Sequence, residues 1–524
     1  MITASLVLAL LVLLALRVPL FVILGTVTVA GYLVSGEVTR LLDAPLIERI
    51  RELTDKPPLL AIPFFVLSGT IMARGAIARR LVDVASALFS FVPGGLGIAT
   101  VAACMFFAAI SGSSPATVIT IGSVMYPALV AQGYRERFAN GLVTSAGTLG
   151  ILIPPSIPMI VYAIFASATT IVQVEDLFLA GLGPGLLIGG MFMVYCAITG
   201  RLKGERLRLP RPREVARAMR KGIWALMLPV LILGGIYSGL FTATEAAAVS
   251  VVYALGVELV IHRELRLEDI PRVFGEATVL MGSLLVIFAM AVGLNGLFAD
   301  LELPQRAAAW LAAQELTPVG FLLALNGLLL LVGCVMDIMS AIMILVPLLA
   351  PMGDAMGIDP IHLGVVFIVN LELGYLTPPL GLNLFVSSTL FGTSLGAVIR
   401  AVAPFTAILL LALLIVTYVP TVSLGPVNLL KGRPFYAPFP EARPSAAEPG
   451  APAAPAARPG VRTLEELMRG AAYRSIMDED EGEPKPEQPP APGPAAEPAP
   501  PSSPPGDGGA PPAPPAAGRG GADR

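Results

Sequence analysis

Four hydroxyl side chains, Ser111, Ser113, Ser114 and Thr117, crowd into one short piece of an otherwise apolar stretch, and in the second half of the chain Asp337 stands with Ser340 at a comparable place. Hydroxyl, carbonyl and carboxylate oxygens are hard donors that suit a small hard cation. Each cluster is followed by a long apolar segment interrupted by paired prolines: Thr148, Pro154, Pro155 and Ser156 mark the first, and Glu372, Thr377, Pro378, Pro379, Gly381 and Asn383 the second. Paired prolines remove backbone donors and clash with the preceding turn, so each helix must break and leave free carbonyls and amides. At membrane depth such backbone persists only where it is buried in protein or lines a cavity. Hydroxyls with unwound carbonyls would hold Na+, and the N-termini of the half-helices would present positive ends to an anionic substrate. The competing reading of the serines is that small residues let helices pack closely.

A carboxylate inside a membrane costs several kcal/mol, so Asp337 needs a cation or strong hydrogen bonds. Its alternative role is a helix cap satisfied by local amides. Glu372, one turn before the second break, is open to either a ligand or a structural role. Glu245 follows Phe241-Thr242-Ala243-Thr244 and precedes an alanine run, the pattern of a helix N-terminus, which favours a structural or subunit-contact role.

The two breaks belong to an internal duplication. Leu149-Gly150-Ile151-Leu152-Ile153-Pro154-Pro155 and Leu373-Gly374-Tyr375-Leu376-Thr377-Pro378-Pro379 are 224 positions apart, as are Pro127 and Pro351, Gly133 and Gly357, and Gly69 and Gly293. Matching Gly/Pro-interrupted segments in two halves mark the substrate and ion site of a secondary transporter.

The surroundings are those of a polytopic membrane protein: 55% of the 524 residues are hydrophobic and only 14% charged, against about 25% in soluble domains. The net charge of −3 arises in residues 428–524, with ten basic and thirteen acidic side chains, so the body is neutral and carries no footprint for nucleic acid. Cys104, Cys196 and Cys334 sit far apart in apolar segments, as buried hydrophobes rather than a disulfide or metal set. The apolar N-terminus lacks an A-x-A-like cleavage site and reads as a first span.

With about 20 apolar residues needed per crossing, nine spans are expected near 3–34, 59–75, 141–168, 178–199, 222–240, 243–261, 273–299, 363–392 and 398–422. The stretches 94–130 and 318–352, each divided by a small or polar tip, read as re-entrant hairpins; amphipathic pieces at Ala76–Phe91 and Pro304–Leu316 precede them and are expected in the membrane interface. The loop Arg201–Lys221 holds nine Lys/Arg against two acids, which places it in the cytoplasm. Counting from it puts the N-terminus and the mouth of the first hairpin inside and the mouth of the second outside, so the halves are inverted repeats, about 59–199 and 273–422. The expected fold is an all-α membrane permease over 1–427 with two hairpins and two broken helices. Residues 428–524, rich in Pro, Ala and Gly, are expected to be a disordered tail on the periplasmic side; Val461–Met477 has the pattern of a short helix, but a nascent helix without a partner is the favoured reading.

The stretches Ala109-Ile110-Ser111-Gly112-Ser113-Ser114-Pro115-Ala116-Thr117, Gly150-Ile151-Leu152-Ile153-Pro154-Pro155-Ser156, Phe241-Thr242-Ala243-Thr244-Glu245-Ala246-Ala247-Ala248 and Leu376-Thr377-Pro378-Pro379-Leu380-Gly381-Leu382-Asn383-Leu384-Phe385 resemble, in order, the DctM-type large membrane subunit of tripartite ATP-independent periplasmic (TRAP) transporters. The likeness covers about residues 1–425, and the long tail departs from the family pattern. The resemblance implies a multi-pass protein of the bacterial inner membrane with an elevator-type ion-transporter fold. It implies Na+-coupled import of organic anions such as C4-dicarboxylates, with no enzymatic activity and no cofactor beyond the coupling ion. The partners it implies are a small four-helix DctQ-type subunit and a periplasmic DctP-type binding protein. By motif position Ser111, Ser113 and Ser114 with the first Pro-Pro helix correspond to one sodium site, and Asp337 with Thr377, Pro378 and Asn383 to the other. The alternative is a stand-alone ion-coupled carboxylate carrier. An intramembrane hydrolase fits less well because the only histidines, His262 and His362, fall near span ends. A passive channel would favour a continuous ring of selectivity groups.

Overall fold

The computed structural model describes residues 20–35, 57–89, 91–167, 172–205, 212–303, 316–379 and 381–440, with Leu13, Arg306 and Ala309 besides. The tail, with Val461–Met477, and nearly all of Pro304–Leu316 lie outside the described residues, as does most of the first span before Leu20. All regular structure among the described residues is helical. The first part holds α1 (Leu20–Ser35), α2 (Pro57–Arg74), α3 (Ile77–Phe89), α4 (Gly95–Ser111), α5 (Ser114–Ala131), α6 (Glu136–Ala146) and α7 (Ile157–Ala166), followed by α8 (Val174–Leu202). The second continues with α9 (Pro212–Tyr237), α10 (Ala243–Gly256, ending in a π turn), α11 (Ile270–Asp300), α12 (Pro318–Val335), α13 (Ile338–Ala355), α14 (Pro360–Gly374), α15 (Leu382–Phe391), α16 (Leu395–Tyr418) and α17 (Thr421–Leu430).

The duplication is structural. Shifted by 224 positions, α5 falls on α13 residue for residue, α4 on α12 within a residue at its start, and the α6–α7 pair on α14–α15. Helices α4 and α5 form the first hairpin and α12 and α13 the second, while α6–α7 and α14–α15 are the two broken helices. The tips are made differently. The first turns on Gly112 at φ 58, a left-handed conformation that a side chain disfavours, whereas the second passes through extended Met336 and Asp337.

Nine helices are long and apolar enough to cross a membrane among the described residues, but they are not the nine expected spans. Three hairpin arms pass on length, while the broken helices drop out because Pro-Pro divides each into pieces of 10–15 residues. Helices α2, α10 and α11 pack together, α1 lies on α11, and α9 lies on α10, outside the hairpins and broken helices.

Helix α3 is the first of the two amphipathic pieces. It buries Ile77, Leu81, Val84 and Ala85 and packs between α4 and α9. Its start is closed by Glu258, a fully buried carboxylate near the end of the α10 segment that accepts hydrogen bonds from the amides of Ala76 (3.2 Å) and Ile77 (3.1 Å). Those amides have no partner within α3, so the carboxylate satisfies two orphan donors at once.

Two sets of contacts fall at opposite ends of the bundle. At the end with the basic loop, Glu205 accepts from the Gly94 amide (2.8 Å), Lys203 sits 3.5 Å over the Tyr134 ring, and Arg137 donates to the Arg400 carbonyl (2.7 Å). At the other end Lys431 meets Asp176 (2.5 Å) and Tyr162 donates to the Pro360 carbonyl (3.0 Å). The mouth of the first hairpin thus lies with the basic loop and the start of the second broken helix lies opposite, the disposition that inverted repeats require.

The packed body continues past residue 427. Helix α17 runs to Leu430, after which the chain folds back: Thr421 Oγ1 exchanges hydrogen bonds with the Ala437 amide and carbonyl (3.1 and 3.0 Å), and Phe439 packs on Tyr418. Truncation after residue 440 should therefore leave the thermal unfolding midpoint of the purified protein unchanged. Truncation after 430 should lower it, because it strips these contacts from the end of α16.

Candidate functional site

The first hairpin tip and the first break meet directly. A Cβ on Gly150 would lie 2.5 Å from the Ser113 carbonyl oxygen and 2.6 Å from Thr117 Oγ1, so only glycine allows this approach. On the other side of the tip, Gly112 lies against the Pro155 carbonyl. Within the tip, Ser111 Oγ is 3.1 Å from Thr117 Oγ1, and Thr117 Oγ1 donates to the Ser113 carbonyl (2.8 Å). Ser156 caps α7: its hydroxyl donates to the Ile151 carbonyl and accepts from the Met159 amide (3.5 Å). The whole break, Pro154 and Pro155 included, is buried.

The second break repeats the close approach with a different partner. Gly374, the counterpart of Gly150, would place a Cβ 2.5 Å from the Gly333 carbonyl oxygen at the end of α12. Asp337 is exposed and caps α13, accepting from the Ser340 amide (3.2 Å) and from the Ser340 hydroxyl. Thr377 Oγ1 bonds back to the Leu373 carbonyl (2.8 Å), and Pro378 and Pro379 are exposed. Gly381 begins α15 at φ 34, where its own carbonyl accepts from the Leu384 amide at 2.7 Å. Both Pro-Pro bonds, 154–155 and 378–379, are cis.

Two expected members of these clusters are found across the boundary between halves. Asn383, expected beside Asp337, donates instead to Ser114 Oγ (2.7 Å) and to the Thr144 carbonyl (3.4 Å), because α15 packs on α5 and α6. Thr148, expected with the first tip, lies 2.6 Å from Glu372 Oε1. The sites are therefore joined by bonds between the repeats. Sequence reasoning also missed the ladder that continues this seam. The Thr144 and Ser387 hydroxyls are hydrogen-bonded to each other (2.7 Å), and Asn140 Nδ2 donates to Thr393 Oγ1 (2.9 Å). Its signal was present: Asn140, Thr144 and Thr148, like Asn383 and Ser387, are polar residues four apart on apolar helices, a single stripe. Glu245 forms a reciprocal cap with Thr242 at the start of α10.

Two features of this seam bear on charge. Helices α5 and α15 both begin here without a side chain capping their first amides, and Ser114 and Asn383, in their first turns, are bonded to each other. The two N-termini present partial positive charge to the same space, although on α15 the Asn383 amide already donates to the Tyr375 carbonyl (3.2 Å). Beside them, Asn383 Oδ1 and Ser145 Oγ are buried oxygens with no protein partner.

The profile of the DctM component of the tripartite ATP-independent periplasmic transporters matches residues 7–422. The chain belongs to this family. It is 48% identical over 403 residues to the C4-dicarboxylate TRAP transporter large permease protein DctM of Pseudomonas aeruginosa, covering 76% of this chain and 93% of that one. To the isethionate TRAP transporter permease protein DctMQ of Oleidesulfovibrio alaskensis it is 39% identical over 370 residues, 70% of this chain and 58% of that one. Its fold is similar to that of the Alcanivorax borkumensis YdaH transporter, with a TM-score of 0.57 at 16% identity over 81% of this chain and 99% of that one. This DctM-family protein is thus the large permease of a TRAP transporter, a multi-pass membrane protein whose relatives are named for transport rather than for a reaction.

The glycine contacts give a direct test of the site. Gly150→Ala and Gly374→Ala must each displace a hairpin tip by overpacking backbone, at about 1–3 kcal/mol. Both variants should insert in the membrane yet take up substrate at least roughly tenfold more slowly. Radiolabelled uptake in proteoliposomes measures this, with Gly190→Ala, whose Cβ would meet nothing, as the unaffected control.

Proposed function

We propose that this permease imports a small organic anion, of the C4-dicarboxylate type, down an inward Na+ gradient. The observation that carries the reading is the convergence of two helix N-termini without side-chain caps at Ser114 and Asn383, which favours a carboxylate, beside buried oxygens that lack protein partners. A cation suits those oxygens because a buried acceptor without a partner is costly. The hydroxyls of Ser111, Ser113, Ser114 and Thr117, with the carbonyls before Pro154 and Pro155, form the first cation site. Asp337, Ser340 and Thr377 with the exposed second break form the other. Since both tips seat on breaks within one packed core, the core carries its sites as a unit past the outer helices, in an elevator manner. The C4-dicarboxylate name of the 48% identical relative supports the substrate class. The isethionate relative's name joins M and Q, and this supports pairing of the permease with a DctQ-type unit. A DctP-type binding protein delivers the anion, and the complex resides in the inner membrane.

Asp337 separates two roles cleanly. Alanine removes both the charge and the cap, which alone is worth about 1 kcal/mol, whereas asparagine keeps the cap and removes only the charge. Asp337→Ala should abolish uptake in vesicles holding both membrane subunits and supplied with the binding protein, and Asp337→Asn should reduce it severely. Full activity of Asp337→Asn would show that capping is the residue's whole contribution.

Succinate uptake by the same vesicles should require an inward Na+ gradient. Replacing Ser113 or Ser114 with leucine should raise the Na+ concentration for half-maximal rate, since a hydroxyl helps to bind the ion without carrying charge. Uptake that ignores Na+ and follows a pH gradient would refute the coupling.

A further inference from the structure

Thr148 and Glu372 occupy equivalent positions in the two repeats, 224 residues apart, and meet between the broken helices. Thr148 Oγ1 lies 2.6 Å from Glu372 Oε1 and 2.6 Å from the Ser145 carbonyl oxygen. A threonine hydroxyl has one hydrogen to donate, and a carbonyl oxygen has none. Two full hydrogen bonds at these distances need a second hydrogen, which the carboxyl group can supply, so that Glu372 donates to Thr148 and Thr148 donates to Ser145; one hydrogen shared between two acceptors would leave both bonds weak. The other carboxyl oxygen, Oε2, is buried without a partner. An unpaired oxygen of a neutral acid is a modest cost, whereas an ionised carboxylate sealed from water with one hydrogen bond is a large one.

No ion pair joins Glu372 to a described residue, and the charged and titratable groups on the elements around α14 stand elsewhere. Asp337 and Asp354 lie at the two ends of α13, Glu175, Asp176 and Arg201 at the ends of α8, Arg400 at the start of α16, and Lys431 after α17. Tyr162 on α7 is engaged with Pro360, and Cys334 on α12 bonds its own helix at the Leu330 carbonyl. On α14 itself His362 is ten residues away, about 15 Å along the helix, bound to Ser423, and Tyr375 follows the last turn. None of these supplies a positive charge at the Glu372 carboxyl.

We propose that Glu372 is a proton-binding site, a neutral carboxylic acid that clasps the two broken helices together through Thr148. The bound proton is distinct from the coupling cation and stays with the core. The inference rests on hydrogen accounting at Thr148 and stands whether or not transport is driven by Na+.

Infrared spectroscopy of the full-length protein with its small membrane subunit, in lipid at neutral pH, tests it. The wild-type protein should show the carbonyl stretch of a buried protonated carboxylic acid, shifted in D2O. Glu372→Gln should lose that band, and Thr148→Val, which removes the acceptor, should move it. An acid region that is the same in wild type and Glu372→Gln would overturn the proposal. Should Glu372→Gln fail to assemble, Thr148→Val decides: a moved band supports the site, and an unchanged spectrum overturns it.

Discussion

A helix broken in the dry interior of a membrane has to be covered by protein, and in this permease that demand governs the architecture. The prolines at 154–155 and 378–379 open the α6–α7 and α14–α15 segments, and the freed backbone cannot turn to lipid. Hairpin tips are brought to backbone contact with both breaks, Ser113 on Gly150 and Gly333 on Gly374; the first break is buried throughout, and the second keeps Pro378 and Pro379 exposed. A side chain at either glycine would hold the tip away and leave the break exposed to the environment it must avoid. The hairpins are therefore lids for the breaks, and the outer helices surround that pair of joints.

The two joints share a plan and differ in chemistry. The first is buried throughout and lined by hydroxyls, while the second carries an acid at its tip and leaves its prolines exposed. They are also not independent. Ser114 with Asn383, Thr148 with Glu372, and Thr144 with Ser387 tie each half to the other, so displacement of one break is felt at its counterpart. Ties of this kind suit a transporter core that moves as one piece, because hydrogen bonds in an apolar interior are costly to exchange for nothing.

The attachment of α3 follows the same economy of backbone partners. A short amphipathic helix between α2 and the first hairpin begins with unpaired amides, and Glu258 reaches across from α10 to accept them. A carboxylate is seldom buried, and its position fixes where the link between outer helices and hairpin starts.

Much of this was legible in the residues. The Pro-Pro pairs, the constant offset of 224 and the basic loop Arg201–Lys221 together imply a membrane core of inverted repeats with two breaks, since proline chemistry and loop charge act locally and need no partner to be read. The Thr242–Glu245 cap was equally local. Which polar residue meets which was decided only by tertiary packing. Asn383 reads as a neighbour of Asp337 because both belong to the second repeat, yet α15 crosses onto α5 and delivers it to Ser114. Asp337 reads as an intramembrane carboxylate with either an ion-site or a capping role, and the turn of the second tip exposes it and gives it the Ser340 amide and hydroxyl. Pairing across a duplication depends on how two broken helices cross, and that crossing is set by packing between residues hundreds of positions apart rather than by any one stretch of chain.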